Sequence, residues 1–158
     1  MPLFLLPLLL QTTPIQPLPK GTGLAPPVSE EASVLRPVHA LFAAISAGDG
    51  AAMVPLLRDG GGATVATEKD DGTRVITHIA WPDFTARFKP GGERLEERLY
   101  DPAIEIDGDI AYVWGRYNFY IGGKLHHCGY DHFDLVRENG SWKIQNLTWS
   151  SRTSGCEE

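Results

Sequence analysis

Three residues of this chain have the types and spacing for acid–base chemistry: Glu97, His127 and Asp131. His127 and Asp131 stand four apart in an alternating run. On a strand they point to one face, roughly 13 Å apart along it. Glu97 follows the register of Leu95 and Leu99, which would turn it toward the same apolar interior. A carboxylate in such a place has its pKa raised by desolvation, and a histidine beside it can share the proton. A pair of this kind can move protons on a small bound molecule, the chemistry of an isomerase, dehydratase or cyclase. Trp81, Tyr117 and Asn146 join His127 and Asp131 as candidate ligand-binding side chains, since small-molecule sites combine aromatic walls with a few polar groups. Two plainer readings stand beside this one. Glu97 sits among Glu93, Glu96 and Arg98, as in an ordinary charged strand. Asp131 could instead bind Arg116 or a backbone amide and hold the strands together.

Other chemistries find little support. His126, His132 and Asp134 share the opposite strand face, but neighbours two apart are about 7 Å from each other, and ligands from other strands would be needed to close a metal site. There is no HExxH or CxxC, and the plain reading is a pair of half-buried strand histidines. The serines Ser150, Ser151 and Ser154 lie in a tail without a nucleophile-elbow motif. Gly60 to Gly62 and Gly91-Gly92 are loop glycines and no phosphate fingerprint. No cofactor is implied.

The elements that must position these residues are strands. From Arg94 to Arg152 the chain reads as four strands joined by turns at Asp107-Gly108-Asp109, Gly122-Gly123 and Glu138-Asn139-Gly140. Each turn separates alternating runs rich in aromatic and β-branched residues, the hairpin signature. Alternation assigns Ala111, Val113, Tyr117 and Phe119, then His127, Asp131, Phe133 and Leu135, then Trp142, Ile144, Asn146 and Thr148, to an interior face. The other face carries Tyr112, Trp114, Tyr120, Leu147 and Trp149. It is too aromatic for free solvent, and a sheet apolar on both faces has both covered. Helices would cover one side. A second copy of the chain would cover the other, making a homodimer through those five residues.

A chain of 158 residues fits one domain. Its net charge of −6 argues against nucleic acid as a partner. No apolar run is long enough to span a bilayer. Residues 2–10, PLFLLPLLL, have the length of a signal-peptide core, although a basic start and an A-x-A site are missing. They point to export, to the periplasm or outside the cell. Residues 11–27 are rich in Pro and Thr and read as an extended linker. The expected organisation is a leader and disordered linker over 1–28 and one domain over 29–156.

That domain opens with a helix capped by Ser29. Val34, Val38, Leu41, Phe42 and Ile45 recur at helical spacing, and Gly48 stops it. Pro37 either kinks this helix or starts it. A short helix over 51–57 should end at the glycine triplet. A hairpin follows across Asp70-Asp71-Gly72, and then a short helix carries Trp81, Phe84 and Phe88. Helices segregated to one face of an antiparallel sheet make an α+β domain.

The segments AISAGDGAAM, DGTRV, DGDIAYVWGRYNFY and NGSWKIQNLTW together resemble the nuclear transport factor 2-like (NTF2-like) superfamily. This is the cystatin-like cone fold shared with SnoaL-type cyclases and ketosteroid isomerase. GGKLHHCGYDHFDLVRENGSWKI is similar to a bacterial lumazine-binding-type branch. The resemblance covers about 30–156. It implies a curved antiparallel sheet wrapped around the N-terminal helix. For function it leaves three outcomes: an exported domain binding a small molecule in its cone, a small acid–base enzyme, or a dimerisation module without ligand. Cys128 and Cys156 are the only cysteines, and an exported chain would meet an oxidising compartment. The last strand should pair back along the meander and bring them together as a disulfide. The branch's HCG strand and C-terminal GC are both present, which strengthens that pairing.

Overall fold

A computed structural model of the chain describes residues 28–157, with side chains from Glu30 onward. The expected leader and linker over 1–28 lie outside the described residues, except Val28, with which the first helix already begins, one residue before the expected cap at Ser29. The elements are α1 (Val28–Ala47), α2 (Gly50–Met53), a 3-10 turn (Val54–Leu56), β1 (Leu57–Glu68), β2 (Arg74–Ala80), α3 (Trp81–Thr85), β3 (Leu95–Asp107), β4 (Ile110–Ile121), β5 (Lys124–Glu138) and β6 (Ser141–Ser151). The strands form one sheet in the order β2-β1-β6-β5-β4-β3. All neighbours run antiparallel except β1 and β6, which are parallel. A helix followed by a curved, unclosed six-stranded sheet is the expected α+β architecture.

Val34, Val38, Leu41 and Ile45 form the buried stripe of α1 and face the sheet, chiefly β3 and β6. Pro37 removes one N–H from the helix, yet α1 runs through it unbroken, with the proline itself buried. Packing of the stripe outweighs that loss. Gly48, at φ 62°, ends the helix where its N–H donates to the Ile45 carbonyl at 3.0 Å. Asp49 then caps α2 by accepting from the Ala52 N–H at 3.0 Å. The core joins α1 to Val113, Phe133, Leu135, Trp142, Ile144 and Leu147 on the inner face of the sheet.

Two expectations need correction. The glycine triplet does not end a helix, because Gly60, Gly61 and Gly62 lie within β1. A Cβ on Gly61 would stand 1.7 Å from the Gln145 carbonyl oxygen, so the two strands meet there only because the residue is glycine. The second correction concerns β6. Leu135 pairs with Ile144 and Asp134 with Asn146, leaving Gln145 as one extra residue. Such a bulge reverses which face every following side chain meets. Trp142 and Ile144 face the core as expected, but beyond Gln145 it is Leu147 and Trp149 that pack inward. Asn146 and Thr148 turn outward. The five residues expected at a dimer contact therefore form no single surface. Tyr112 and Trp114 are exposed on the outer face, Tyr120 is buried, and Leu147 and Trp149 belong to the core side.

The disulfide is present. Cys128 and Cys156 are bridged with their Cα atoms 5.7 Å apart. After β6 the chain stays along β5, where Arg152 and Cys128 exchange two backbone hydrogen bonds of 3.0 Å. The tail then crosses the outer face. Its Glu157 carbonyl accepts from Asn118 Nδ2 at 2.8 Å and Arg116 Nη1 at 3.0 Å.

Candidate functional site

The inner face has two halves. Near α1 it is apolar, with Val113, Phe133 and Leu135 fully buried. Farther along, the same face carries Glu97, Tyr117, Phe119, His127 and Asp131. The ladder explains why these meet. Glu97 pairs with Phe119, and Phe119 with His127. Tyr117 pairs with Leu99 and Gly129, and Asp131 with Gly115 and Trp149. Gly115 and Gly129 project no side chain, so the polar groups crowd around Tyr117 on a strongly curved sheet.

The central feature is a carboxyl pair. Asp131 is 1% exposed. Its Oδ2 is buried and receives no hydrogen bond from a protein donor among the described residues. The side chains of Glu97 and Asp131 hydrogen-bond to each other, which requires a proton between them. Desolvation first, and the Asp131 hydrogen bond in the opposite sense, leave the Glu97 pKa pushed up to about 7. Glu97 as a residue is only half-buried, so it is the carboxyl end that lies away from water. Asp131 is pushed well above the usual carboxylate range by burial, by the charge of Glu97 and by the shared hydrogen bond. Two carboxyls this close cannot both ionise cheaply, and the pair holds one proton near neutrality.

The surrounding groups are fixed. Tyr117, 1% exposed, donates its hydroxyl to the Ser150 carbonyl at 2.9 Å. Burial pushes its pKa upward, and the charges of Asp131 and Glu97 add to the rise, so the phenol stays protonated. His127 stacks on Phe119 with ring centroids 4.8 Å apart and meets the Tyr117 ring edge at 5.7 Å. Desolvation first, then His126, lower its pKa to about 4. The imidazole is neutral at pH 7, and its Nδ1 lies 2.9 Å from His126 Nδ1 in a hydrogen bond between the two rings.

Glu97, Tyr117, His127 and Asp131 are thus brought to one face. The proton partner of Glu97 is Asp131 rather than His127. Arg116 is on the outer face, its guanidinium 4.5 Å from the Tyr100 ring centre, and does not pair with Asp131. Trp81 is buried in the core, in edge contact with Phe84 at 5.6 Å. Phe84 in turn meets Trp149 edge-on at 6.4 Å. Asn146 lies on the outer side, its Nδ2 3.4 Å from Asp134 Oδ2 and its Oδ1 accepting from the Gly62 N–H. The sequence reading missed Phe119 as a wall for His127, and Ser150, whose contribution is a main-chain carbonyl that leaves no side-chain signal. Among the described residues no three His, Cys, Asp or Glu side chains gather as a metal site.

No family model matches the chain. A membrane-bound lytic murein transglycosylase C from Haemophilus influenzae is 38% identical over 50 residues. The match covers 32% of this chain and 14% of that enzyme. Solved structures match over far more of the chain. An NTF2-like protein of unknown function from Shewanella baltica superposes with a TM-score of 0.60 at 15% identity, covering 80% of this chain and 97% of that one. A Nostoc punctiforme protein with a cystatin-like fold gives 0.62 at 10% identity, over 81% and 95% of the two chains. A candidate dehydratase of the NTF2-like family from Streptomyces avermitilis gives 0.61 at 17% identity, over 78% and 96%. Identities this low carry the fold and leave the chemistry to the site itself. The chain has the NTF2-like, cystatin-like fold, with a proton-sharing carboxyl pair on its inner face.

Proposed function

We propose that the protein binds a small polar organic molecule at the Glu97–Asp131 pair, within the cone. One observation carries this reading: the pair is costly. Two desolvated carboxyls weaken a fold, and apolar residues of similar volume would strengthen it. A module serving only as a scaffold has no use for them. With one proton held between the two carboxyls, the pair offers its remaining oxygens as acceptors, suited to a ligand carrying a hydroxyl or N–H group. Neutral His127 and the Phe119 ring supply a wall. The lumazine-binding-type resemblance of residues 122–144 belongs to this proposal.

A second reading is favoured by one specific observation. A Glu97 carboxyl titrating at about 7 is matched to general acid–base work at neutral pH. The site would then move a proton on the bound molecule, as an isomerase or dehydratase does. The candidate dehydratase among the fold neighbours is consistent with this, although it shares only the fold. Export is part of the proposal. It is supported by the Cys128–Cys156 bridge, since disulfides persist in oxidising compartments. The transglycosylase match is too short to carry an activity across.

The test is native mass spectrometry of protein purified gently from the periplasm or medium. A bound small molecule should appear in the wild type and be lost in Glu97→Gln and Asp131→Asn. Ligand-free wild type from several hosts, or an adduct indifferent to both changes, overturns the binding reading. Deuterium uptake by the bound molecule from heavy water, lost in Glu97→Gln, supports the catalytic one.

A further inference from the structure

The outer face of the sheet carries a second cluster that the inner site does not use. In register across the strands, Ala103, Trp114, His132 and Thr148 make one row, and Glu105, Tyr112, Asp134 and Asn146 the next. Trp114 is 47% exposed and Tyr112 39%. Their rings and that of His132 stand as walls. Tyr112 lies 6.0 Å from His132 at 61°, and Trp114 lies 5.9 Å from it at 58°. With Ala103 they line an open groove of about 330 Å³. Tyr112 is flanked by a carboxylate on each neighbouring strand, Glu105 on β3 and Asp134 on β5. Asp134 is held between His132 Nε2, 3.5 Å from its Oδ1, and Asn146 Nδ2, 3.4 Å from its Oδ2. Among the described residues no lysine or arginine forms an ion pair with either carboxylate.

We infer that this slot binds a small organic ammonium ion, held against the faces of Trp114 and Tyr112 and neutralised by Glu105 and Asp134. Aromatic faces attract cations through their quadrupole, and inclined rings with carboxylates at the rim suit a quaternary or alkylated ammonium group. Charge selects among occupants. A polyanion is repelled by the rim and by a net charge of −6. A second copy of the chain brings the same carboxylates to the same face, where like charges oppose. Trp114 also stacks on Tyr130, with ring centroids 5.3 Å apart at 21°, which leaves one face of the indole to the slot. The inference does not depend on the proposed function, because the slot and the carboxyl pair lie on opposite faces.

The experiment is an NMR titration of the full protein, following the Trp114 indole N–H and the amides of Tyr112 and His132. Choline is the probe. Neohexyl alcohol, the same shape with carbon in place of the ammonium nitrogen, is the control. Choline should shift these signals saturably, and the alcohol should bind at least about tenfold more weakly, the size expected of a partly desolvated cation–π contact. Trp114→Leu, at an exposed position, should abolish the shifts at Tyr112 and His132. Glu105→Gln with Asp134→Asn should weaken choline by about the same factor and leave the alcohol unchanged. Equal binding of the two probes, or choline shifts that survive Trp114→Leu, overturns the inference. So does a chitooligosaccharide that shifts Trp114 where choline does not. Light scattering that shows a dimer, together with a Trp114 protected from choline, overturns it in favour of a second copy.

Discussion

Glu97→Gln removes the ionisable half of the carboxyl pair while keeping its shape and its ability to donate to Asp131. In the unfolded chain a glutamate titrates near its model value of 4.5, and in the folded protein at about 7. Between these values the folded protein holds more protons than the unfolded one. Stability therefore falls as pH rises through that window, and the loss is complete above about 7. The difference corresponds to about 3 kcal/mol, since each pKa unit is worth about 1.4 kcal/mol. Urea unfolding of wild type and Glu97→Gln at intervals from pH 5 to pH 8.5 measures it. The variant should match the wild type near pH 5 and exceed it by about 2–3 kcal/mol at pH 8. For a chain of this size that gain corresponds to roughly 6–12 °C in Tm. Asp131→Asn should show a gain of the same sign, because it removes a buried carboxyl whose own pKa is raised, first by desolvation. Parallel stability curves for wild type and Glu97→Gln across the window would refute the reasoning, as would a variant weaker at pH 8.

His127 acts on the acid side with the opposite sign. Its pKa is lowered to about 4, so the folded protein binds fewer protons than the unfolded one below pH 6.5, and stability falls by up to about 3 kcal/mol as pH drops toward 4. His127→Gln should flatten that limb in the same unfolding series, and an unchanged limb counts against the burial of the imidazole. Cys156→Ser opens the loop between two cysteines separated by 28 positions and should cost about 3–4 kcal/mol in the chain-entropy account, read as the shift in urea midpoint against the oxidised wild type. An equal midpoint would mean that the bridge closes no entropy. Gly61→Ala forces a methyl into the space held by the Gln145 carbonyl and should lower stability by about 1–3 kcal/mol, and thermal melting at wild-type temperature would show that the two strands can part there.

The four closing strands were legible because their turns carry Gly and Asn and their runs alternate. Glu97, His127 and Asp131 on one face followed from parity alone. What failed was parity carried past an irregularity. Gln145 looks like any polar strand residue, and nothing in its type announces an extra residue. Yet that single insertion sends Leu147 and Trp149 inward and Asn146 outward. The glycine triplet had carried the signal, read as a helix stop. A glycine inside a strand marks a bulge or a close backbone approach, and Gly61 meets the bulge itself. The partner of Glu97 was missed for a different reason. The sequence reading set a histidine beside the Glu97 carboxylate, but the sheet brings Asp131 to it across β4, and curvature is a property of the whole sheet that no short segment reveals.

The two faces of β5 make opposite contributions. Asp131, facing inward, sets its carboxyl against that of Glu97, whose desolvation costs the fold about 3 kcal/mol once Glu97 is ionised. Cys128, three residues earlier and facing outward, ties the tail across Asn118 and restricts the unfolded chain by about 3–4 kcal/mol. The magnitudes are close, and they act by different routes: one on the charge state of the folded interior, the other on the entropy of the unfolded chain. A protein of ordinary stability, about 5–15 kcal/mol, cannot carry the first without some such compensation and remain comfortably folded. The contribution of the bridge is of the size needed to offset the cost of the pair. The bridge and the carboxyl pair thus act from opposite faces of one strand.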